Sequence, residues 1–225
     1  MSPLVGFSIY HFVFHGGFFM YLLLACSIIS VATIYLRATA LKRQAIIPPE
    51  VENEIEALPV GDNPRALARL YNVVERSNSP FARIVYVSLR LEAFPKQENM
   101  EVVQARARQE VLQMESGLGV LEVIVGVAPL LGLLGAVSGL VTVFGELGSS
   151  ATVSDPRTIA AGIAEALNTT IAGLGIAIPC LVAHSFFSRK VERLASEMEI
   201  LVNELLVKRY SQSEETVTFD PAGQP

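Results

Sequence analysis

The chain has 225 residues, of which 51% are hydrophobic and 17% charged, and its mean hydropathy is +0.45. This composition argues against an ordinary soluble domain, in which about a quarter of the residues are charged. The 17 basic and 22 acidic residues give a net charge of -5 with no basic cluster, which argues against nucleic acid as a partner.

Three runs without Asp, Glu, Lys or Arg are long enough to cross a bilayer. They cover residues 17–36, 123–145 and 166–188. At 1.5 Å per residue, a helix of about 20 apolar residues spans the roughly 30 Å of hydrocarbon. We therefore predict an all-α membrane protein with transmembrane helices at 17–36, 118–145 and 159–188.

The positions of Lys and Arg predict the orientation of these helices. None lies in residues 1–36, eleven lie in residues 37–117, one lies in the loop 146–158 and five follow the third helix. Basic residues are enriched in cytoplasmic segments, so we place the N-terminal segment 1–16 and the loop 146–158 outside, and the C-terminus inside. Because no positive charge precedes the first run, we interpret it as an anchor rather than a cleaved signal.

The segment 37–117 is predicted to be a cytoplasmic helical domain. Short helices are expected at 48–58, 63–77 and 79–94, because Asn63-Pro64 and Ser79-Pro80 combine an N-cap residue with proline at the first helical position.

Two apolar stripes with alternating steps of three and four residues predict helices that extend the second and third spans into the cytoplasm. The first comprises Ala107, Val111, Met114, Leu118 and Leu121, and the second Val191, Leu194, Met198, Leu201 and Leu205. The second stripe predicts a helical extension over 189–210. The polar residues 211–225 are expected to be a disordered tail.

The second span carries small residues at helical spacing, which allow close approach of a neighbouring helix. They are Ala128, Gly132, Gly135, Ala136 and Gly139. Pro129 removes a backbone hydrogen bond and is expected to kink the helix unless neighbours compensate. We therefore predict an interhelical face here.

The third span contains one acidic residue, Glu165, followed by Asn168, Thr169 and Thr170. Glu165 lies six residues, about 9 Å of helix, inside the predicted span, and a charge at that depth costs up to about 3 kcal/mol on insertion scales. Glu165 is therefore a candidate for proton exchange or for holding a partner's polar group. The alternative is a carboxylate with a structural role near the outer end of the span. Helix geometry places Thr169 about 40° and Thr170 about 140° around the axis from Glu165, and so favours Thr169 as its neighbour.

The sequences APLLGLLGAVSGL (128–140) and IAEALNTTIAGLGIAIP (163–179) resemble the second and third spans of the MotA/TolQ/ExbB proton channel family, most of all its ExbB and TolQ branch. The resemblance extends to the layout of the whole chain: three spans, an outside N-terminus and a large cytoplasmic loop. Gly173 and Pro179 belong to this motif and are assigned to helix packing.

The resemblance implies a bacterial inner-membrane complex that couples proton flow to mechanical work. It implies a homopentamer around the single spans of two copies of an ExbD- or TolR-like partner, whose membrane aspartate carries the proton, and it admits a TonB- or TolA-like transmitter. The family's third-span glutamate corresponds to Glu165 and its third-span threonine to Thr170. This assignment conflicts with the helix angle, which favours Thr169, and both threonines are retained as candidates.

One departure from the family pattern concerns the pore. Many members have a threonine in the second span where this chain has Ala136, with Ser138 two positions later. Ser138 lies about 200° around the helix from Ala136 and so cannot present its hydroxyl on the same face. This suggests a divergent subfamily, and no particular uptake or envelope process is assigned.

Other classes of function are less consistent with the sequence. A self-sufficient ion channel or transporter would need a deeper acid or an inverted repeat, whereas a non-conducting scaffold is consistent with the missing second-span threonine. The sequence contains no nucleophile and base at a spacing that would indicate an enzyme. His11 and His15 share a helix face without a third ligand, so no metal site or cofactor is predicted, and protons are the expected coupling ion.

Overall fold

The computed structural model describes residues 17–61, 63–90, 96–149 and 156–215, and these residues form α-helices connected by short segments. The helices are α1 Gly17–Ala40, α2 Arg43–Ile46, α3 Pro49–Glu56, α4 Pro64–Arg76, α5 Pro80–Arg90, α6 Lys96–Glu115, α7 Leu118–Ser149 and α8 Pro156–Glu215. The predicted all-α class is confirmed for this part of the chain. The N-terminal segment 1–16 and the tail beyond Glu215 lie outside the described residues.

Helices α1, α7 and α8 are each long and apolar enough to cross a membrane. The candidate spans are Phe18–Ala40, Leu118–Gly145 and Gly162–Ser211, three in number as predicted. Helix α8 is continuous over 60 residues, because nothing between the third span and its extension breaks the helix. It ends at Glu215, five residues inside the tail predicted to be disordered from 211. The ends of the segment 146–158, predicted to be a loop, are helical, since α7 continues to Ser149 and α8 begins at Pro156, and residues 150–155 lie outside the described residues.

The chain divides into two compact units. Within the described residues, the transmembrane unit lies in 17–37 and 117–187, and the extramembrane unit lies in 38–116 and 188–215.

Two short helices of the extramembrane unit, α4 and α5, begin at the predicted caps. The Asn63 side chain accepts hydrogen bonds from the backbone N–H groups of Arg65 and Ala66 at 3.2 and 3.3 Å, and Pro64 is the first residue of α4. The Ser79 hydroxyl oxygen accepts from the Ala82 N–H at 3.1 Å, at the start of α5. These bonds satisfy N–H groups that the first turn of a helix leaves unpaired.

Large apolar side chains fill the core of the extramembrane unit. Those from α3 to α6 include Val51, Ile55, Leu70, Phe81, Ile84, Val85 and Val103. All five residues of the second predicted stripe, Val191, Leu194, Met198, Leu201 and Leu205, are buried. The prediction of an apolar face on the extension of the third span is thus confirmed.

The prediction of the first stripe is confirmed only in part. Helix α6 ends at Glu115 and α7 begins at Leu118, so the expected continuous helix into the second span is interrupted at Ser116–Gly117. Met114, Leu118 and Leu121 are buried, whereas Ala107 and Val111 are half-buried. The buried face of α6 is centred instead on Val103, Glu110 and Met114.

Glu110 is a carboxylate in the core of the extramembrane unit. Its side chain is 0% exposed and forms ion pairs with Arg83 at 2.5 Å and Arg106 at 2.6 Å. The hydrogen bond from Arg83 to this carboxylate raises the pKa of the guanidinium, and two cationic partners compensate the loss of hydration of a buried anion. A charged residue therefore occupies a core position that an apolar pattern does not reveal.

Candidate functional site

Helices α7 and α8 are in direct backbone contact at two glycines of the transmembrane unit. A Cβ atom added at Gly132 would lie 2.8 Å from the Thr169 carbonyl oxygen, and one added at Gly173 would lie 2.5 Å from the Ala128 carbonyl oxygen. Such distances are shorter than side-chain atoms tolerate, so backbone packs directly against backbone. Gly132 and Gly173 thus set the separation of the second and third spans.

The same contact continues toward the C-terminal end of α7 and the N-terminal end of α8. A Cβ atom on Gly135 would lie 3.0 Å from the Thr169 hydroxyl oxygen, and one on Gly139 would lie 3.3 Å from the Ala166 Cβ. Gly135 also faces Phe19 of α1, at 3.2 Å from the Phe19 Cβ. The predicted glycines of the second span therefore line one face against the third span.

Helix α1 joins this pair through an apolar cluster. Its buried members are Leu23, Ile124, Ala128, Ala177 and Cys180, with Cys26 packed against them. The two cysteines are free. All three spans of the chain therefore contribute to one packed core.

Two threonine hydroxyls of α8 bond to the backbone of α7. The Thr169 hydroxyl shares its one hydrogen between the Ala166 carbonyl oxygen at 2.8 Å and the Gly132 carbonyl oxygen at 3.2 Å. The Thr170 hydroxyl donates to the same Gly132 oxygen at 3.4 Å. Thr169 is buried, at 2% exposure, and Thr170 is half-buried. Both threonine candidates thus lie at or beside the contact between the two spans.

The remaining predicted positions are distributed around this contact. Ala136, Asn168 and Pro129 are half-buried, and Ser138 and Pro179 are exposed on the chain. Glu165 lies in α8, one helical turn before Thr169, and its side chain is outside the described residues. The structure does not bring Ser138 into the contact between α7 and α8.

Thr142 is a polar residue of the second span that the sequence pattern did not single out. Its hydroxyl donates to the Ser138 carbonyl oxygen at 3.1 Å, and both residues are exposed on the chain. The spacing of four residues places the two hydroxyl-bearing side chains on one side of α7. That spacing was the signal that could have identified Thr142.

The chemistry of the site comes from an acid position, hydroxyl groups and close backbone packing. Among the described residues, no group of three or more His, Cys, Asp or Glu side chains could hold a metal ion. A carboxylic acid in a span can bind and release a proton, and hydroxyls can donate and accept hydrogen bonds. The residue types at these positions can therefore exchange protons and form hydrogen bonds.

Fold and site together define a helical membrane protein with three spans and a membrane acid on the third. The model of the MotA/TolQ/ExbB proton channel family matches residues 76–200, which include α5 and α6, the second span and most of α8. The chain belongs to this family. The resemblance found in the two span motifs is thereby confirmed.

Several curated relatives are biopolymer transport proteins. The ExbB-like 1 protein of Synechocystis sp. is 31% identical over 201 residues, which cover 84% of this chain and 77% of the relative. An ExbB homolog of Methanothermobacter thermautotrophicus is 29% identical over 188 residues, covering 83% of this chain and 65% of the relative. ExbB of Helicobacter pylori is 38% identical over 90 residues, covering 40% of this chain and 61% of the relative. These similarities favour the ExbB/TolQ branch of the family.

Proposed function

We propose that this chain is a subunit of a proton-driven energy-transducing complex of the bacterial inner membrane. Several copies surround the single spans of an ExbD- or TolR-like partner, and proton flow through the assembly drives motion of that partner. Membership in a proton channel family and similarity to ExbB proteins support this function. The transmembrane potential supplies about 2.3 kcal/mol per charge per 100 mV for such work.

The observation that carries the proposal is the position of Glu165. It is the one acidic residue in the sequence of the third span from Ile159 to Ser188, and it lies within the segment that matches the family model. Placing a carboxylate in a membrane helix is costly, so such residues generally face a protein interior or a hydrated cavity and have a function. Proton exchange at Glu165 is the function that fits this family.

Exposed apolar surface supports assembly into an oligomer. Outside the contact between α7 and α8, large apolar side chains on both helices remain uncovered within one chain. They include Leu130, Leu133, Val137 and Val141 on α7 and Leu167, Ile171, Leu174 and Ile178 on α8. Three helices are too few to enclose a central pore, and neighbouring copies can cover part of this surface. We therefore propose a cyclic homo-oligomer, a pentamer as the family resemblance implies, with lipid around its outside.

The partner supplies the second protonatable group. In the proposed complex an aspartate in the partner's span exchanges its proton near Glu165, and Thr170 offers a hydroxyl on the path. One acid in the third span leaves most of the bilayer thickness without a relay in this chain alone. Protons are the coupling ion and no organic cofactor takes part. A TonB- or TolA-like transmitter would receive the motion.

Orientation is part of the same proposal. The N-terminus lies outside, and the extramembrane unit lies in the cytoplasm, as the distribution of basic residues indicates. Single cysteines at Asn63 and Thr152, introduced after the native cysteines are replaced, test it with a membrane-impermeant maleimide on intact cells. Labelling is expected at Thr152 and not at Asn63, and the reverse pattern would contradict the orientation.

Proton flux measured with and without the partner tests the proposed function. The complex is purified from its native membrane, and small single-span proteins that remain bound are identified by mass spectrometry. Liposomes containing this chain alone are expected to hold a pH gradient, and liposomes containing the chain with its partner to dissipate it. A rapid leak through the chain alone would favour a self-sufficient channel. No flux with the bound partner present would favour a non-conducting scaffold.

A further inference from the structure

The two adjacent threonines of the third span are held differently. Thr169 is enclosed by α7, at 2% exposure, whereas Thr170 is half-buried and its hydroxyl lies 3.4 Å from the Gly132 carbonyl oxygen that it bonds. Hydrogen bonds between hydroxyl and carbonyl oxygens are commonly about 2.7 to 2.8 Å long and weaken with distance. The hydroxyl of Thr169 is therefore bound within the contact, and that of Thr170 is more readily released.

We propose that Thr169 is a positioning residue that ties α8 to α7 and fixes the rotation of α8 about its axis at Glu165. This inference rests on the proposed function, because it concerns the acid that the proposal places on the proton path. It assigns Thr169 a different task from Thr170. The helix angle alone had favoured Thr169 as the hydroxyl that would share the path with Glu165.

The surroundings of Thr169 form a fitted site for its side chain. Its hydroxyl reaches the Gly132 carbonyl oxygen at 3.2 Å across the contact and the Ala166 carbonyl oxygen at 2.8 Å within its own helix. Gly135 leaves the space that the Thr169 side chain occupies, since a Cβ atom there would lie 3.0 Å from the hydroxyl oxygen and 3.1 Å from the Thr169 Cβ. A larger residue at Gly135 would have to displace the hydroxyl.

The link to Glu165 follows from helix geometry. Four residues of helix separate Glu165 from Thr169, about 6 Å along the axis and about 40° around it. A helix transmits a rotation over one turn almost unchanged, because its backbone hydrogen bonds restrain each turn. A tether at Thr169 therefore determines the direction that position 165 presents to the surrounding assembly.

The test measures the reactivity of Glu165 rather than transport. Purified full-length protein with Cys26→Ala is treated with dicyclohexylcarbodiimide, which modifies protonated carboxyl groups in apolar surroundings. The modified peptide is quantified by mass spectrometry, and the Glu165→Gln protein provides the background. Cys180, 1% exposed and on the same helix, serves as an internal reporter of general loosening through its reaction with N-ethylmaleimide.

Thr169→Val removes the hydroxyl and keeps the shape of the side chain. Because one interhelical hydrogen bond in a membrane protein is worth about a factor of three on average, we expect the Glu165 modification rate to change about threefold while Cys180 remains protected. Thr169→Ser keeps the hydroxyl and is expected to restore the wild-type rate. Thr33→Val is the matched control, because the Thr33 hydroxyl donates within α1, to the Ile29 carbonyl oxygen at 2.8 Å, and it should leave the rate unchanged.

Two outcomes would overturn the inference. One is a wild-type rate at Glu165 in Thr169→Val, and the other is an equal rise in Cys180 reactivity, which would indicate general loosening. If Thr169→Val does not fold, Gly135→Ala provides a second test, since its added Cβ displaces the Thr169 hydroxyl. An unchanged Glu165 modification rate in Gly135→Ala overturns the inference as well. Measuring the Glu165 modification rate requires neither the partner nor proton flow. The result can therefore be interpreted even if the proposed function is wrong.

Discussion

Helix α8 contributes to both compact units, and its packing differs between them. In the transmembrane unit its contact with α7 is made by small residues, Ala166, Thr169 and Gly173. In the extramembrane unit its buried residues are large and apolar, such as Leu194 and Leu205. One helix thus uses two kinds of packing along its length.

The difference reflects the two solvents. Lipid chains are as apolar as leucine, so burying leucine between spans gains little, and association depends on close van der Waals contact and interhelical hydrogen bonds. In water each buried apolar side chain contributes about 1.5 to 3 kcal/mol through the hydrophobic effect. We therefore expect that loss of side-chain volume destabilises the extramembrane unit most, and that added side-chain volume destabilises the transmembrane unit most.

The largest effect is expected for Glu110, at the charged centre of the extramembrane unit. Glu110→Ala leaves Arg83 and Arg106 without their common carboxylate, and we expect a loss of about 4 kcal/mol, in the range measured when one partner of a buried ion pair is removed. Circular dichroism at 222 nm during thermal unfolding in mild detergent measures it. The control is Glu115→Ala, an exposed residue at the end of the same helix. Equal melting temperatures for the two variants would show that the buried ion pairs do not stabilise the unit.

Loss of volume in the extramembrane unit should have the next largest effect. Leu205 is 0% exposed, so Leu205→Ala creates a cavity and is expected to cost about 3 kcal/mol. The matched substitution is Leu181→Ala on the same helix, because Leu181 is 52% exposed in the transmembrane unit. The same thermal measurement compares them. An equal or larger loss for Leu181→Ala would contradict the proposed difference between the two units.

Added volume in the transmembrane unit should have a smaller but clear effect. Gly173→Ala places a Cβ atom against the backbone of α7, where only separation of the helices relieves the overlap, and we expect a loss of about 1 to 2 kcal/mol. Gly175→Ala is the control, since nothing lies within 4 Å of its added Cβ. Thermal unfolding of the two variants is compared in the same detergent. If Gly173→Ala and Gly175→Ala have equal melting temperatures, the close contact is not required for stability.

Much of the fold could be predicted because its signals are local. Charge-free runs of sufficient length identified the three spans, and Asn63-Pro64 and Ser79-Pro80 identified two helix starts through their own side-chain hydrogen bonds. The stripe from Val191 to Leu205 was visible because helical periodicity and burial coincide there. In each case the evidence lies within a few turns of one helix.

Features that depend on contacts between distant segments were not predictable. Burial of Glu110 requires Arg83, which is 27 positions earlier in the sequence, and an apolar pattern treats an isolated acid as exposed. The angle from Glu165 favoured Thr169 as the hydroxyl sharing its path, but the Gly132 carbonyl and the space over Gly135 enclose Thr169 in the contact with α7. Helix angle alone does not show which neighbour covers a face.

The central claim is that Glu165 exchanges the transported proton, and proton flux through Glu165→Gln tests it most directly. An amide is less costly in a membrane than a carboxylate, so the variant should assemble with its partner as the wild type does, which native mass spectrometry verifies. Liposomes containing the assembled Glu165→Gln complex are predicted to hold a pH gradient as well as empty liposomes do. Wild-type proton flux through that assembled complex would contradict the claim.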